Sequence, residues 1–287
     1  VDYQKVERRV KSLARRFPWL RELLRAYVEV SRVSDGLNVK GVRWSPGLAE
    51  AELRKVRLEN GFPLVSPEEI VVDMESLTKL SLHIMDVLAS TSGIIAELGE
   101  LVRLGVIDLP LCARHFLMRN ERYFEEDLAL SDAEIETLYF VLGRALKPQM
   151  EKIARSHSSC LKNLFWEKGY CPICGFPPLV GFVEKKDCPG RVPLKVVCAL
   201  CGTSWDYPGE GCLYCGFGCG GRDELLYLEG RDAFARCCRN CRTYFKFIEL
   251  DGPPEDVSFS LEDLATIMLD IRASNLGFAR RGTFKIQ

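Results

Sequence analysis

Eight of the thirteen cysteines in this 287-residue chain fall into four Cys-x-x-Cys pairs: Cys171/Cys174, Cys198/Cys201, Cys212/Cys215 and Cys238/Cys241. Two thiolates three residues apart on a tight turn can reach one ion, because the turn brings both sulfurs to the same side. Four thiolates complete a tetrahedron around Zn²⁺ at ~2.3 Å. In three of the turns a glycine follows the second cysteine, at Gly175, Gly202 and Gly216. Glycine accepts the positive φ that lets backbone N–H groups turn toward the sulfurs. Those donors matter because a divalent ion held by four thiolates is left with net negative charge. The fourth turn has Arg242 in that place, a cation that can offset the charge but makes the turn geometry less well specified.

A single Cys-x-x-Cys is shared with redox motifs. Four of them between residues 171 and 241 form a metal-site pattern. The pairs are separated by 23, 10 and 22 residues, a long hairpin, a short linker and a second long hairpin. Neighbours repeat in register. Gly175-Phe176 follows the first pair as Gly216-Phe217 follows the third, and Thr203 and Trp205 follow the second as Thr243 and Phe245 follow the fourth. This duplication favours consecutive pairing, with Cys171, Cys174, Cys198 and Cys201 at one site and Cys212, Cys215, Cys238 and Cys241 at the other. Cross-braced pairing is the alternative. Either way four protein ligands close each site, leaving no position for water or substrate, which argues against hydrolysis at the metal. Two structural ions per chain are expected, zinc first and iron as the alternative. In peptide models structural zinc contributes ~10–16 kcal/mol, enough to hold together a loop-rich segment. Cys112 and Cys160 lie in helical stretches and read as packing. Cys237 adjoins a ligand and could compete with Cys238, while Cys188 and Cys219 read as free thiols or a disulfide.

The elements that must carry these pairs change character along the chain. Val6, Val10, Leu13 and Phe17 recur at helical spacing, and Pro18 suits the first turn of a second helix running to about Val33. Seven arginines and lysines decorate this pair of helices, from Arg8 to Arg25. They read as a solvated face, with a docking surface for an acidic partner as the sharper alternative. Residues 34–47 read as a loop, and a short helix follows over Leu48 to Arg57. Ser66-Pro67-Glu68-Glu69 is a capping box and predicts one helix reaching Leu104. Ser131-Asp132-Ala133-Glu134 is a second box, with Pro148 expected to kink or end its helix and further helix to about Phe165. After Gly169 come strand-like runs at Leu179–Val183, Leu194–Val197 and Tyr244–Ile248. Ser260-Leu261-Glu262-Asp263 predicts a last helix ending near Gly277, its apolar face returning to the helices or packing on the cysteine region.

Composition narrows the function classes. Charged residues make up 28% and hydrophobic ones 47%, which is globular rather than disordered. A net charge of −1 counts against a dedicated nucleic-acid binder. No apolar run approaches a membrane span, and Val1-Asp2-Tyr3-Gln4-Lys5 lacks the layout of a secretory signal, so a cytoplasmic setting is expected. His83, His115 and His157, the three histidines, are scattered and read as packed or surface residues. No phosphate loop, nucleophile elbow or acidic pair signals an enzyme.

Cys171-Pro172-Ile173-Cys174-Gly175 with Pro177-Pro178, Cys198-Ala199-Leu200-Cys201-Gly202-Thr203-Ser204-Trp205, and the pairs at Cys212/Cys215 and Cys238/Cys241 resemble the formate dehydrogenase accessory protein family (FdhE). Asp263-Leu264-Ala265-Thr266, Leu269-Asp270 and Gly277-Phe278 look like that family's C-terminal signature, and Gly61-Phe62-Pro63-Leu64 resembles a short element of its helical half. The resemblance implies an α+β fold: an all-helical domain over residues 1–168, two tandem rubredoxin-like four-cysteine zinc ribbons over 169–208 and 209–250, and a C-terminal helix over 256–280 packing back on the body. It implies a non-catalytic cytoplasmic protein that binds the immature catalytic subunit of a formate dehydrogenase, or a related molybdenum or tungsten oxidoreductase, and assists its maturation. It also carries over the eight ligand cysteines position by position. Two other readings stand beside it. Rubredoxin-type knuckles holding iron would pass single electrons. A nucleic-acid-binding zinc ribbon would use Trp205, Tyr207, Tyr214 and Arg239 for stacking and charge.

Overall fold

The computed structural model describes residues 3–36, 51–162, 164–184, 194–208, 211–218, 224–228 and 233–281. The N-terminal periodicity resolves into α1 (Tyr3–Arg16), a 3-10 turn over Pro18–Leu20 and α2 (Arg21–Gly36). Then come α3 (Ala51–Glu59), α4 (Met74–Leu88), α5 (Gly93–Arg103), α6 (Leu109–Leu117) and α7 (Asp132–His157). Most of the expected loop over 34–47, and the expected start of α3 at Leu48, lie outside the described residues.

Two helix boundaries differ from expectation, each for a physical reason. The Ser66 capping box forms, with the Ser66 N–H donating to Glu69 Oε2 at 3.1 Å, yet it opens only a 3-10 turn over Pro67–Glu69. Gln149 of α7 holds the Asp73 backbone from both sides. Its Oε1 accepts from the Asp73 N–H at 2.8 Å and its Nε2 donates to the Asp73 carbonyl at 3.0 Å. This keeps Asp73 extended, where its side chain caps α4 by accepting from the Ser76 N–H. Ser92 caps α5 separately, so one expected helix becomes a turn and two helices. In α7, Pro148 neither ends the helix nor divides it. Leu142, Ala145, Leu146, Met150 and Ile153 on both sides are buried. At roughly 1.5–3 kcal/mol for each large apolar side chain, that burial outweighs the ~3 kcal/mol for an interior proline. The helix stops at His157, followed by a 3-10 turn over Ser158–Leu161 rather than helix to Phe165.

The strands of the cysteine-rich half join in a seven-stranded sheet. β1 (Pro178–Glu184), β2 (Leu194–Cys198) and β3 (Ser204–Tyr207) make an antiparallel meander, as do β4 (Glu224–Tyr227), β5 (Ala233–Cys238) and β6 (Thr243–Leu250). The two meanders join through a parallel pairing of β1 with β6, Gly181 opposite Phe247 through Glu184 opposite Leu250. Gly181 is required there, because a Cβ would come within 2.4 Å of the Phe247 ring and 3.1 Å of the Lys195 carbonyl oxygen. The resulting order is β3-β2-β1-β6-β5-β4.

The C-terminal segment splits where a single helix is expected. α8 (Phe259–Ala265) and α9 (Ile267–Asn275) are separated at Thr266, whose hydroxyl donates to the Glu262 and Asp263 carbonyls at 3.0 Å. This local side-chain-to-backbone bonding competes with helix continuation. The break sends the two pieces to different partners. Leu261 and Ala265 of α8 pack with Leu13, Leu20 and Leu24 of the first helices. Leu269 and Ala273 of α9 pack with Leu226, Ala235 and Tyr244 of the second meander. β7 (Ala279–Arg280) then pairs parallel with the start of β6. No helix among the described residues is long and apolar enough to cross a membrane.

Candidate metal centres

Each meander carries one pair ahead of its first strand and one in the turn between its second and third strands. The four sulfurs of Cys171, Cys174, Cys198 and Cys201 lie together, and so do those of Cys212, Cys215, Cys238 and Cys241, all within 4.8 Å inside each group. This is the consecutive grouping; among the described residues no histidine or carboxylate joins either cluster. In the first group Cys171–Cys201, Cys174–Cys198 and Cys174–Cys201 sulfurs are 3.5 Å apart. In the second, Cys212–Cys241 is 3.6 Å and Cys215–Cys238 3.8 Å. A tetrahedron of thiolates at ~2.3 Å from Zn²⁺ has edges of ~3.8 Å, so both donor sets fit such an ion.

The turns repeat one backbone design. The Gly175, Gly202 and Gly216 N–H groups donate to the Cys171, Cys198 and Cys212 carbonyls, with all three glycines at φ 66–73°. Cys171, Cys198 and Cys212 N–H groups donate in turn to Phe176, Thr203 and Phe217. Backbone N–H groups of Ile173, Leu200, Cys201 and Tyr214 point at cysteine sulfurs at 3.4 Å. Thr203 Oγ1 lies 3.1 Å from Cys201 Sγ, and Thr243 Oγ1 lies 2.8 Å from Cys241 Sγ. The in-register threonines therefore sit at hydrogen-bond distance from equivalent sulfurs.

Arg242 adopts the same left-handed conformation at φ 56°. Its side chain is committed elsewhere: the guanidinium lies 4.5 Å from the Phe278 ring and donates to the Leu276 carbonyl at 3.1 Å. The C-terminal segment thus holds a non-glycine residue in a strained turn. The cation beside a cysteine group is Arg119, which follows α6 and had no sequence signal. Burial lowers its pKa while the charges of Cys174 and Cys198 act to raise it. The guanidinium also lies 5.0 Å from the Phe176 ring.

The surroundings differ sharply between the groups. All four cysteines of the first are buried, whereas Cys215 is exposed and Cys241 half-buried in the second. The backbone before α4 clamps the first knuckle, with Leu64 and Val65 N–H groups donating to Pro172 and Ile173 carbonyls at 2.8 and 2.9 Å. Burial pushes the Cys171 and Cys174 thiols well up. At Cys198 burial acts the same way, but hydrogen bonds from Cys171, Cys174 and Cys201 outweigh it and bring that thiol well down. Burial likewise raises Cys212. At Cys215 it is outweighed by the Phe217 N–H and the Asn240 amide, which bring the thiol to about 7.

The remaining candidates separate cleanly. Cys112 and Cys237 are buried and Cys160 half-buried; Cys188 and Cys219 lie outside the described residues. His157 is buried against the Ile153 carbonyl, and His115 stacks on Tyr123. Trp205 and Tyr207 are buried, Arg281 lies over the Tyr214 ring, and Arg239 pairs with Glu224. Those four residues do not form an exposed stacking platform.

No family model matches the chain. A segment of 122 residues, 40% of this chain and 40% of the relative, is 34% identical to the protein FdhE homolog of Aquifex aeolicus. One of 116 residues is 31% identical to protein FdhE of Escherichia coli O127:H6, covering 40% of this chain and 36% of that one. The matches thus span about two fifths of the length of these curated relatives. Over 97% of this chain and 93% of the other, the fold matches the crystal structure of the FdhE protein from Pseudomonas aeruginosa, with a TM-score of 0.61 and 21% identity. The resemblance to the FdhE family holds in sequence over part of the chain and in fold over nearly all of it.

Proposed function

We propose that this chain, sharing sequence with the FdhE proteins and folding as one of them does, is a cytoplasmic accessory protein of a formate dehydrogenase or a related molybdenum or tungsten oxidoreductase. It binds the immature catalytic subunit and assists its maturation without itself catalysing a reaction. The observation that supports this most is the closure of both cysteine groups. Each supplies four sulfurs at tetrahedral spacing, so an ion held there has no position for substrate. Cys171, Cys174, Cys198 and Cys201 would hold one ion, and Cys212, Cys215, Cys238 and Cys241 the other, zinc being favoured. The ions would contribute to folding, and the folded surface would do the binding. Co-expression of the tagged chain with the catalytic subunit tests this: a stable complex is expected, and none under reducing, metal-replete conditions overturns the reading.

The exposed sulfur of Cys215 favours one second reading, an iron centre at the second group that exchanges single electrons. Metal analysis separates them, because iron-loaded protein purified in air is red and zinc-loaded protein colourless.

A further inference from the structure

The first two helices have a surface that the cysteine groups do not explain. Residues 3–33 contain nine Lys or Arg against three Glu, within a chain of net charge −1. A groove of about 840 Å³ runs between α1 and α2, floored by Val10, Ala14, Val28 and Val33. Lys11, Arg15, Arg21 and Arg25 border it and are exposed. Arg32 is engaged by Glu7, but those four make no ion pair among the described residues. His83 of α4 also lines the groove, and its shielded Nε2 has no hydrogen-bond partner there. Around the apolar floor five Lys and Arg side chains outnumber the carboxylates of Glu7 and Glu29, so the excess cations repel one another, and an anionic apolar ligand relieves both features.

We propose that this groove binds an acidic segment bearing apolar side chains, supplied by another protein. The proposal rests on the accessory reading only in taking that segment from a client. A nucleic acid fits less well. The lining includes the carboxylates of Glu7 and Glu29, contains no aromatic ring other than the His83 imidazole, and presents an aliphatic floor. An acidic amphipathic segment can place apolar side chains on the floor and carboxylates against the four free cations.

The test uses the full chain and a fluorescein-labelled helical peptide with leucines on one face and glutamates elsewhere, read by anisotropy. Binding is expected to weaken severalfold with added salt, and about tenfold or more in R15E/R21E/R25E. Reversals at Arg114, Lys152 and Arg155, exposed on other helices, should leave it unchanged. Undiminished binding by the first triple variant overturns the proposal, as does equal binding of a peptide with lysine in place of glutamate. So does a single-stranded oligonucleotide that binds more tightly than the acidic peptide. Should the triple variant fail to fold by circular dichroism, salt dependence and the lysine peptide decide on the parent chain. A chain that ignores the acidic peptide but still co-purifies with its client removes the groove while leaving the accessory reading intact.

Discussion

The two cysteine groups are built from the same turn and lie in very different places. The first is enclosed: Phe176 beside it packs 5.3 Å from Phe116 of α6, Leu64 and Val65 clamp its backbone, and its sulfurs share a core cluster with α4 to α7. The second is more open: among the described residues Cys212 and Cys238 cluster with Tyr214 and Cys241 alone, and Cys215 is exposed. An identical local design can thus serve as the keystone of a core in one place and as a local clasp in the other.

The largest expected effect separates those roles. Cys174→Ser should lose one ion per chain and the cooperative unfolding of the helical half, because the ion's stabilisation, ~10 kcal/mol in peptide models, would be lost inside the shared core. Cys215→Ser should also lose one ion yet keep a cooperative helical transition. Calorimetry with metal analysis measures both, and equal losses would erase the distinction. On the unmodified protein a thiol reagent should reach Cys215 before the other seven cysteines of the two groups.

A smaller effect concerns the frame of the second group. Lys246 of β6 is 1% exposed and pairs with Asp263 at 2.7 Å and Asp270 at 2.6 Å, while Arg280 pairs with Asp263 at 2.7 Å. The Tyr244 hydroxyl donates to Asp270 at 2.7 Å. This network ties α8, α9 and β7 to the sheet. Asp263→Asn should cost about 3–5 kcal/mol, the usual result of removing one partner from a buried pair. Burial acts to raise the Asp263 carboxyl, but the Arg280 and Lys246 charges outweigh it and hold the carboxyl below the usual carboxylate range. A depressed folded value means that the stabilisation is complete above the unfolded pKa of ~4 and is lost as pH falls through the folded one. Urea unfolding of parent and variant should therefore differ most near neutrality and converge in acid. A gap that widens on acidification would contradict this account.

The smallest contrast lies in the turns. A Cβ at Gly175 would come within 2.7 Å of Pro63 and 2.8 Å of Arg119, whereas among the described residues nothing lies within 4 Å at Gly216. Both glycines have positive φ, so Gly216→Ala should cost ~1 kcal/mol from backbone strain alone. Gly175→Ala should add ~1–3 kcal/mol from crowding. Equal shifts in chemical denaturation would mean that the helical clamp yields freely.

Legibility in the sequence followed the range of the interactions. Both capping boxes form, since donor and acceptor are three residues apart. The long helix expected after Ser66 fails because Gln149, 76 residues away, holds Asp73 extended. The expected last helix breaks because Thr266 bonds back to its own turn and α8 and α9 find separate partners. β4 and β5 span only four and six residues, and β5 alternates in burial without alternating apolar with polar residues, so only their neighbours identify them. Arg119 was invisible, because its relation to Cys174 exists only once α6 packs on the first knuckle.

The sequence by itself determined the four knuckles and their duplicated order, and favoured the grouping of the eight cysteines that the structure shows, because each turn is set by cysteines three residues apart and by the residue that follows. It also determined the helical character of the first half through its apolar spacing. Tertiary structure alone decided that the two meanders fuse through β1 and β6, that one group is buried while the other opens at Cys215, and that Arg242 can occupy a turn suited to glycine. Burial and charge compensation arise between segments far apart in the chain, and no local pattern encodes which of two equal turns the helices will cover.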